Sequence, residues 1–319
     1  MTRVGAVDCG TNSIRLLVAD VDDHGTLTDV VRRMEVVRLG HGVDRTGVID
    51  PEAMRRTLAM AGEYAAQCRD AGAEAVRFVA TSASRDARNA ADFVAGVREA
   101  FADFGTAPEV VSGVEEAELS FRGATGDLRA AGVPGPYLVV DLGGGSTEFV
   151  RGTTDVEAAR SVDVGCVRMT ERHLRSDPPT AAEVEAATTD IDAAVAEAAE
   201  AVGFAGVAAL VGLAGSVTTV TAHALGLPAY DAERIHLTEL TPERAMAACE
   251  SLLHLDRAQR AALPFMHPGR VDVIGAGALV WHQVVATVAA DAPGLRVVTS
   301  EHDILDGIAL SCADRVLAG

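Results

Sequence analysis

Apolar runs alternate with amphipathic stretches along the whole chain, which is the pattern of an α/β protein. In the N-terminal part, apolar runs predict strands at residues 3–9, 14–21, 29–40, 75–83 and 108–112. Helices are expected between them at about 51–72 and 87–103. The first of these helices has a clear start signal, because Asp50 can cap it and Pro51 suits its first position.

The same alternation restarts after Pro134 and Pro136, which mark a linker. Strands are predicted at 137–144, 146–152, 156–163, 207–213 and 296–300. Helices are predicted at 180–203, 216–226, 241–253, 256–262, 270–290 and 303–317. We therefore expect an N-terminal domain over 1–125, with a C-terminal helix (302–319) packing back on it, and a second domain over 126–301.

The uncharged stretch 201–222 is long enough to span a bilayer. Glycines and a Ser/Thr cluster interrupt it, and no basic residues flank it. The stretch is instead interpreted as a buried strand, a Gly-Ser turn and a helix.

A repeated motif links the two halves of the chain. The segment that starts at Asp8 and the segment that starts at Asp141 both read D-x-G-x-x-S and lead into a strand. Glycines in such turns allow backbone N–H groups to converge on one point, which suits a phosphate group. The carboxylate that ends the first strand would hold a divalent cation beside the phosphate. Arg15 of the first copy stands where the second copy has Glu148, so the copies differ in charge at one place.

A third glycine-rich turn, around Gly215 and Ser216, follows a predicted strand and opens a predicted helix. A helix N-terminus there would offer free N–H groups to an anion, although an ordinary helix cap explains the same residues equally well. Another helix start carries two adjacent acids, Glu115 and Glu116. Adjacent helical residues lie about 100° apart, so only one of them can face a common cleft squarely. Spacing alone leaves open which one does.

The amino-acid composition restricts the classes of molecule that the protein is expected to bind. The net charge is −19, and all 27 basic residues are Arg because the chain has no Lys. Such an acidic protein is not expected to bind nucleic acid, which requires a basic surface. The five cysteines are scattered and form no C-x-x-C pair, and no secretion signal is recognisable at the N-terminus. We therefore expect a cytoplasmic protein with no disulfide framework and no membrane association.

Seven segments together resemble the exopolyphosphatase / guanosine pentaphosphate phosphohydrolase family of the actin-like ATPase superfamily. They are DCGTNSIRLLV (8–18), ATSASRDARN (80–89), SGVEEAELSF (112–121), DLGGGSTEF (141–149), LAGSVTT (213–219), GAGAL (275–279) and SEHDILDGIAL (300–310). The resemblance implies two ribonuclease-H-like domains flanking an inter-domain cleft. It selects Glu116 as the catalytic base.

The resemblance also implies roles for other residues. It connects Asp141 and Glu148 with a divalent metal, Mg²⁺ or Mn²⁺, and repeat symmetry adds Asp8. The phosphate-binding positions that it matches are Gly10, Thr11, Asn12, Ser13, Arg85, Gly143, Gly144, Gly145, Ser146, Gly215 and Ser216. Arg85 could clamp a phosphate or simply start a surface helix. The role of Arg15 stays open.

The expected activity is metal-dependent hydrolysis of the terminal phosphoanhydride of inorganic polyphosphate. Hydrolysis of guanosine pentaphosphate is the first alternative, because both substrates share that bond. A nucleotide-binding sensor without significant turnover is an alternative of another class, and a small-molecule kinase of the same superfamily ranks lower. Longer family members carry extra C-terminal domains, so the end at Gly319 and the acidic composition lead us to expect preference for short chains. Relatives of this kind are often homodimers.

Overall fold

Two β-sheets organise the residues that the computed structural model describes, 1–318. One compact unit comprises residues 1–123 together with the C-terminal helix from Ile304, and the other comprises Ala124–Asp303.

The strands and helices of residues 1–130 follow the expected alternation. The strands are β1 (Thr2–Cys9), β2 (Ser13–Val21), β3 (Leu27–Val36), β4 (Ala75–Ala80) and β5 (Glu109–Val110). The α-helices are α1 (Val43–Thr46), α2 (Pro51–Asp70), α3 (Ser82–Asp86), α4 (Ala90–Ala100) and α5 (Gly113–Ala130). Helix α2 begins as its sequence predicts, since the Asp50 side chain accepts hydrogen bonds from the Glu52 and Ala53 amides.

The remaining elements repeat the alternation. The strands are β6 (Tyr137–Leu142), β7 (Thr147–Gly152), β8 (Val156–Val162), β9 (Ala209–Leu213), β10 (Glu239–Leu240) and β11 (Arg296–Thr299). The α-helices are α6 (Cys166–Arg172), α7 (Ala181–Val202), α8 (Ala214–Leu225), α9 (Ala232–Ile235), α10 (Pro242–His254), α11 (Arg257–Ala261), α12 (Ile274–Asp291) and α13 (Ile304–Ala318). A short 3₁₀ helix occupies Pro268–Arg270.

Both sheets have the same topology. The first has the strand order β3-β2-β1-β4-β5, and the second has β8-β7-β6-β9-β11 followed by the short β10. In each sheet the first three strands form an antiparallel meander, and the strand after it joins the central strand in parallel. This is the ribonuclease-H-like arrangement in duplicate, so the predicted α/β fold is confirmed.

The central strands are buried on both faces. Along β1, Val7 packs with the side chains of α2 and α4, whereas Val4 and Ala6 face the opposite side and pack with α13. Alternation of apolar residues on a strand produces this two-sided core. Helix α13 crosses α5 very closely, since a Cβ at Gly307 would lie 2.0 Å from the Leu119 carbonyl oxygen. Only glycine allows that approach.

Two predicted strands end at least three residues early, and the short elements α1, α3, α6, α9 and β10 were not predicted. The predicted strand 29–40 ends at Val36, because the amides of Val37 and Arg38 turn to donate to the Asn12 carbonyl. The predicted strand 75–83 ends at Ala80, and helix α3 starts two residues later. The uncharged stretch 201–222 forms strand β9 and most of helix α8, and none of the described helices is long and apolar enough to cross a membrane.

Candidate active site

The turn between β1 and β2 holds the predicted phosphate-binding residues Gly10–Ser13 in a tight hairpin. The Gly10 amide donates to the Ser13 carbonyl at 2.9 Å. The carbonyls of Thr11 and Asn12 accept amide hydrogen bonds from the segment after β3. In the part of the chain that the structure describes, the amides of Thr11 and Asn12 donate to no other residue. Two consecutive unsatisfied N–H groups form the kind of concavity that binds an anion.

The turn between β6 and β7 repeats this construction in the second unit. Gly143 donates its amide hydrogen to the Ser146 carbonyl at 3.0 Å, as Gly10 does to Ser13. The carbonyls of Gly143 and Gly144 accept hydrogen bonds from the first amides of α6. Within residues 1–318, the amides of Gly144 and Gly145 have no hydrogen-bond acceptor. The sequence repeat therefore corresponds to two loops with the same pattern of unsatisfied donors.

The carbonyl side of the second loop is closed by α6. The Arg168 side chain donates from Nε to the Gly145 carbonyl at 2.6 Å, and this arginine is largely buried. A Cβ at Gly165 would lie 2.5 Å from the carbonyl carbon and oxygen of Gly144, so glycine is required there. Neither Arg168 nor Gly165 was predicted from the sequence, because each contacts the loop from a later segment of the chain.

The first acid of each repeat faces a different partner in the two units. In the first unit Asp8 lies directly opposite Arg15 on the neighbouring strand. Its Oδ2 accepts two hydrogen bonds from that guanidinium, at 2.7 and 2.9 Å. The structure thus identifies Asp8 as the partner of Arg15, whose role the sequence left open. The ion pair neutralises the Asp8 carboxylate.

In the second unit the equivalent register places Asp141 directly opposite Glu148. Both are buried, with 6% and 1% of their surface exposed. The Ser161 hydroxyl donates to Glu148 Oε1 at 2.8 Å. Two acids in direct opposition on antiparallel strands destabilise the sheet unless a cation lies near them. Of the three predicted metal ligands, Asp141 and Glu148 thus form the donor set that fits a divalent cation, which prefers oxygen ligands.

The third predicted loop opens helix α8, and it lies beside Asp141 because β6 and β9 are paired in parallel, with Asp141 opposite Leu213. Ala214 has a φ of 67°, a left-handed conformation that costs energy for any residue other than glycine. Helix α8 begins at this residue and has 12 residues, so its first turn presents free amides and a positive dipole end. Strain at such a point is a common property of functional sites.

Arg270 lies against this helix start and was not predicted from the sequence. A Cβ at Gly215 would approach the Arg270 guanidinium to 2.3 Å. The guanidinium donates to Thr219 Oγ1 at 3.4 Å. A cation at the positive end of a helix is unfavourable unless an anion lies between them. Arg270 is therefore a candidate phosphate ligand.

Burial makes the cysteine beside this loop an inert thiol. It raises the pKa of Cys166, although the Ser216 hydrogen bond and the charge of Arg270 act in the opposite direction. A protonated thiol is a poor nucleophile. The cysteines are all buried and none forms a disulfide.

Glu115 and Glu116 point to different environments at the start of α5. Glu116 Oε2 accepts a hydrogen bond from Arg85 Nη1 at 3.2 Å, and its side chain is 10% exposed. Glu115 is 43% exposed and pairs at 2.7 Å with Arg77, a buried arginine that also binds Glu109. The structure therefore gives the two acids separate partners, which spacing alone did not decide.

Arg85 connects Glu116 to the first phosphate loop. Its Nη1 donates to the Val111 carbonyl at 2.9 Å as well as to Glu116. Arg85 belongs to α3, where Ser82 hydrogen-bonds Thr11 of the loop at 2.9 Å. The predicted residues of the first unit (Asp8, Gly10, Thr11, Asn12, Ser13, Arg85 and Glu116) are thus connected through β1, α3 and α5. Those of the second unit (Asp141, Gly143, Gly144, Gly145, Ser146, Glu148, Gly215 and Ser216) are connected through β6, β7 and α8.

Comparison with known proteins finds similar proteins that share one family. The profile of the Ppx/GppA phosphatase family matches residues 17–312. Exopolyphosphatase 2 of Mycobacterium tuberculosis is 49% identical over 318 residues, which cover 98% of this chain and 99% of that protein. The crystal structure of an exopolyphosphatase-like protein superposes with a TM-score of 0.93 at 42% identity, covering 99% of both chains.

One further relative is named for a different activity. The guanosine-5'-triphosphate,3'-diphosphate pyrophosphatase of Vibrio cholerae is 34% identical over 177 residues. The match covers 55% of this chain and 34% of that protein.

Proposed function

Since the chain belongs to the Ppx/GppA phosphatase family, we propose that it is an exopolyphosphatase. It hydrolyses the terminal phosphoanhydride of inorganic polyphosphate, with preference for short chains, and releases orthophosphate. The observation that carries this proposal is the pair of matched loops, each with two unsatisfied amides, beside buried carboxylates. The name of the relative from Mycobacterium tuberculosis supports the same substrate.

In this proposal the loop amides and Arg270 bind the terminal phosphates. The proposed donors to phosphate oxygens are the amides of Thr11 and Asn12 in the first unit, and those of Gly144, Gly145 and the first turn of α8 in the second. Fixed donors of this kind stabilise the charge that spreads over the equatorial oxygens in the transition state. Arg270 adds a planar guanidinium, which matches phosphate geometry. Arg85 remains a predicted phosphate ligand besides its contact with Glu116.

The metal ligands in this proposal are Asp141 and Glu148, with Asp8 as a weaker candidate because Arg15 already neutralises it. A bound Mg²⁺ or Mn²⁺ would neutralise phosphate oxygens and polarise the phosphorus centre. The two carboxylates would hold the cation, and Ser161 orients Glu148 through its hydrogen bond.

Glu116 is the general base of the proposed reaction. Its carboxylate orients a water molecule in line with the terminal phosphorus and takes one proton from it as the P–O bond forms. The bridging P–O bond breaks, and the shortened chain leaves with the electron pair. Arg85 fixes the orientation of the Glu116 carboxylate through its hydrogen bond. The acid–base step contributes typically ~10²–10⁴-fold to the rate.

Guanosine pentaphosphate is the second candidate substrate, supported by the name of the relative from Vibrio cholerae. It presents the same terminal phosphoanhydride to the loops. A cytoplasmic location and a homodimer remain predictions.

The experiment that tests the proposal measures phosphate release from short polyphosphate, long polyphosphate and guanosine pentaphosphate in parallel. Each substrate is supplied with Mg²⁺ and again with a chelator. Fast, cation-dependent multiple turnover on short polyphosphate is the expected result. Phosphate release from guanosine pentaphosphate alone would identify it, and not polyphosphate, as the substrate. If none of the three substrates supported multiple turnover, a nucleotide-binding sensor would be favoured.

Substitution of Gly215 tests the contact with Arg270. The Ala side chain of Gly215→Ala would occupy the place of the guanidinium, which must move away from the α8 N-terminus. We expect KM for polyphosphate to rise at least ~10-fold, the loss of about 1.4 kcal/mol of binding. Gly62→Ala is the matched control, since a Cβ there has nothing within 4 Å. Unchanged KM in Gly215→Ala would argue against Arg270 as a phosphate ligand.

A further inference from the structure

A cluster of one aspartate and two histidines lies in the second unit and takes no part in the proposed hydrolysis. Its members are Asp127, His236 and His302, and each offers one ligand atom within 4.8 Å of the other two. His302 Nδ1 lies 2.5 Å from Asp127 Oδ2, and His236 Nε2 lies 3.5 Å from the same oxygen. The ring centroids of the two histidines are 4.7 Å apart.

Three separate segments bring these side chains together. Asp127 lies near the end of α5, His236 directly follows α9, and His302 lies between β11 and α13. Asp127 and His302 are 175 residues apart in the chain. Local structure alone cannot explain their convergence, which depends on the tertiary fold of the second unit.

We propose that Asp127, His236 and His302 form a binding site for one divalent transition-metal ion, such as Zn²⁺ or Co²⁺. Imidazole nitrogen with one carboxylate oxygen suits these ions, whereas Mg²⁺ and Ca²⁺ prefer oxygen ligands alone. The ligand chemistry therefore differs from that of Asp141 and Glu148. The proposal does not depend on the identity of the hydrolysed substrate.

The distances are close to those that coordination requires. Bonds of about 2.0–2.2 Å from zinc to nitrogen and oxygen place neighbouring ligand atoms roughly 3–3.5 Å apart. The separation of 3.5 Å between His236 and Asp127 already meets this. The contact of 2.5 Å between His302 and Asp127 must lengthen by less than about 1 Å, which side-chain rotation provides.

Contacts and exposure determine how the cluster would hold an ion. The Glu301 amide donates to His236 Nδ1 at 3.2 Å, and this hydrogen bond orients the ring with Nε2 toward Asp127. The three side chains are partly exposed. We therefore expect an exchangeable ion with water in the remaining coordination positions.

The test uses the whole chain, equilibrated with Co²⁺ in the presence of excess Mg²⁺, which occupies the oxygen-ligand site. We expect one Co²⁺ per chain by elemental analysis, with visible absorption bands typical of nitrogen coordination. Zn²⁺ added afterwards should displace it, and the melting temperature should rise with the logarithm of the free Zn²⁺ concentration above Kd.

Variants assign the ion to these residues. His302→Gln and His236→Gln should each lose the bound Co²⁺ and its absorption bands. Asp127→Asn replaces the third ligand by a neutral amide and should weaken binding at least ~10-fold, since loss of even an outer contact of a metal ligand costs that much. His254→Gln, an exposed histidine of α10, is the matched control and should retain the ion. Circular dichroism checks that the variants are folded. Absence of Co²⁺ from the unmodified chain, or equal binding by folded His302→Gln and His236→Gln, would overturn the proposal.

Discussion

Glu116→Gln should reduce phosphate release by ~10²–10⁴-fold while leaving substrate affinity within a small factor of the original. The amide keeps the shape of the side chain and can still accept the hydrogen bond from Arg85, but it cannot take a proton from water. Only the step that needs the base is lost, so kcat falls and KM does not rise. Steady-state phosphate release, together with equilibrium binding of polyphosphate, separates the two quantities.

The neighbouring acid provides the matched control for this prediction. Glu115→Gln removes a carboxylate one residue away, in the same helical turn, that pairs with Arg77 and is well exposed. We expect its turnover to stay near that of the unmodified chain. If the two variants lost activity equally, or if Glu116→Gln kept full activity, Glu116 would not be the general base.

Glu148→Gln is expected to remove the response of the protein to Mg²⁺ and, with it, most of the activity. Asp141 and Glu148 lie opposite each other in the sheet and are buried. In the absence of a cation, two like charges in such positions repel each other. The substitution removes one charge and keeps an oxygen for the Ser161 hydrogen bond. The melting temperature without Mg²⁺ should therefore stay the same or rise, while the increase caused by Mg²⁺ disappears.

The measurement is thermal unfolding over a Mg²⁺ titration, with phosphate release in the same buffers. We expect the apparent Mg²⁺ affinity to fall at least ~10-fold, since even outer contacts of metal ligands contribute that much. Asp141→Asn should behave in the same way. Glu157→Gln, an exposed acid on the adjacent strand β8, is the control and should keep the response. A destabilised Glu148→Gln that still responds to Mg²⁺ would show a purely structural role for the carboxylate.

Much of this protein could be predicted from the sequence because the signals are local or periodic. Alternating apolar runs predicted most strands and helices, and the repeated D-x-G-x-x-S motif predicted two related halves. The strand orders confirm the α/β fold, and the family match confirms the resemblance. The roles of the individual site residues stay predictions for the variants above to test.

Other features depended on contacts between segments that are distant in the chain. The sequence predicted a strand through residue 40, but Val37 and Arg38 leave the sheet to satisfy the Asn12 carbonyl. Arg270 carries no sequence signal, since its position beside Gly215 arises from packing between a 3₁₀ helix and α8. Asp127, His236 and His302 converge for the same reason.

The sequence by itself determined most of the secondary structure and the duplication, and it supplied the candidate phosphate and metal residues, because hydrophobic period and turn chemistry act over a few residues. Only the tertiary structure decided the partner of each acid. Cross-strand register paired Asp8 with Arg15 but Asp141 with Glu148. Helix packing turned Glu115 toward Arg77 and Glu116 toward Arg85. Register and packing are properties of the whole fold, so two copies of the same local motif have neighbours of different charge.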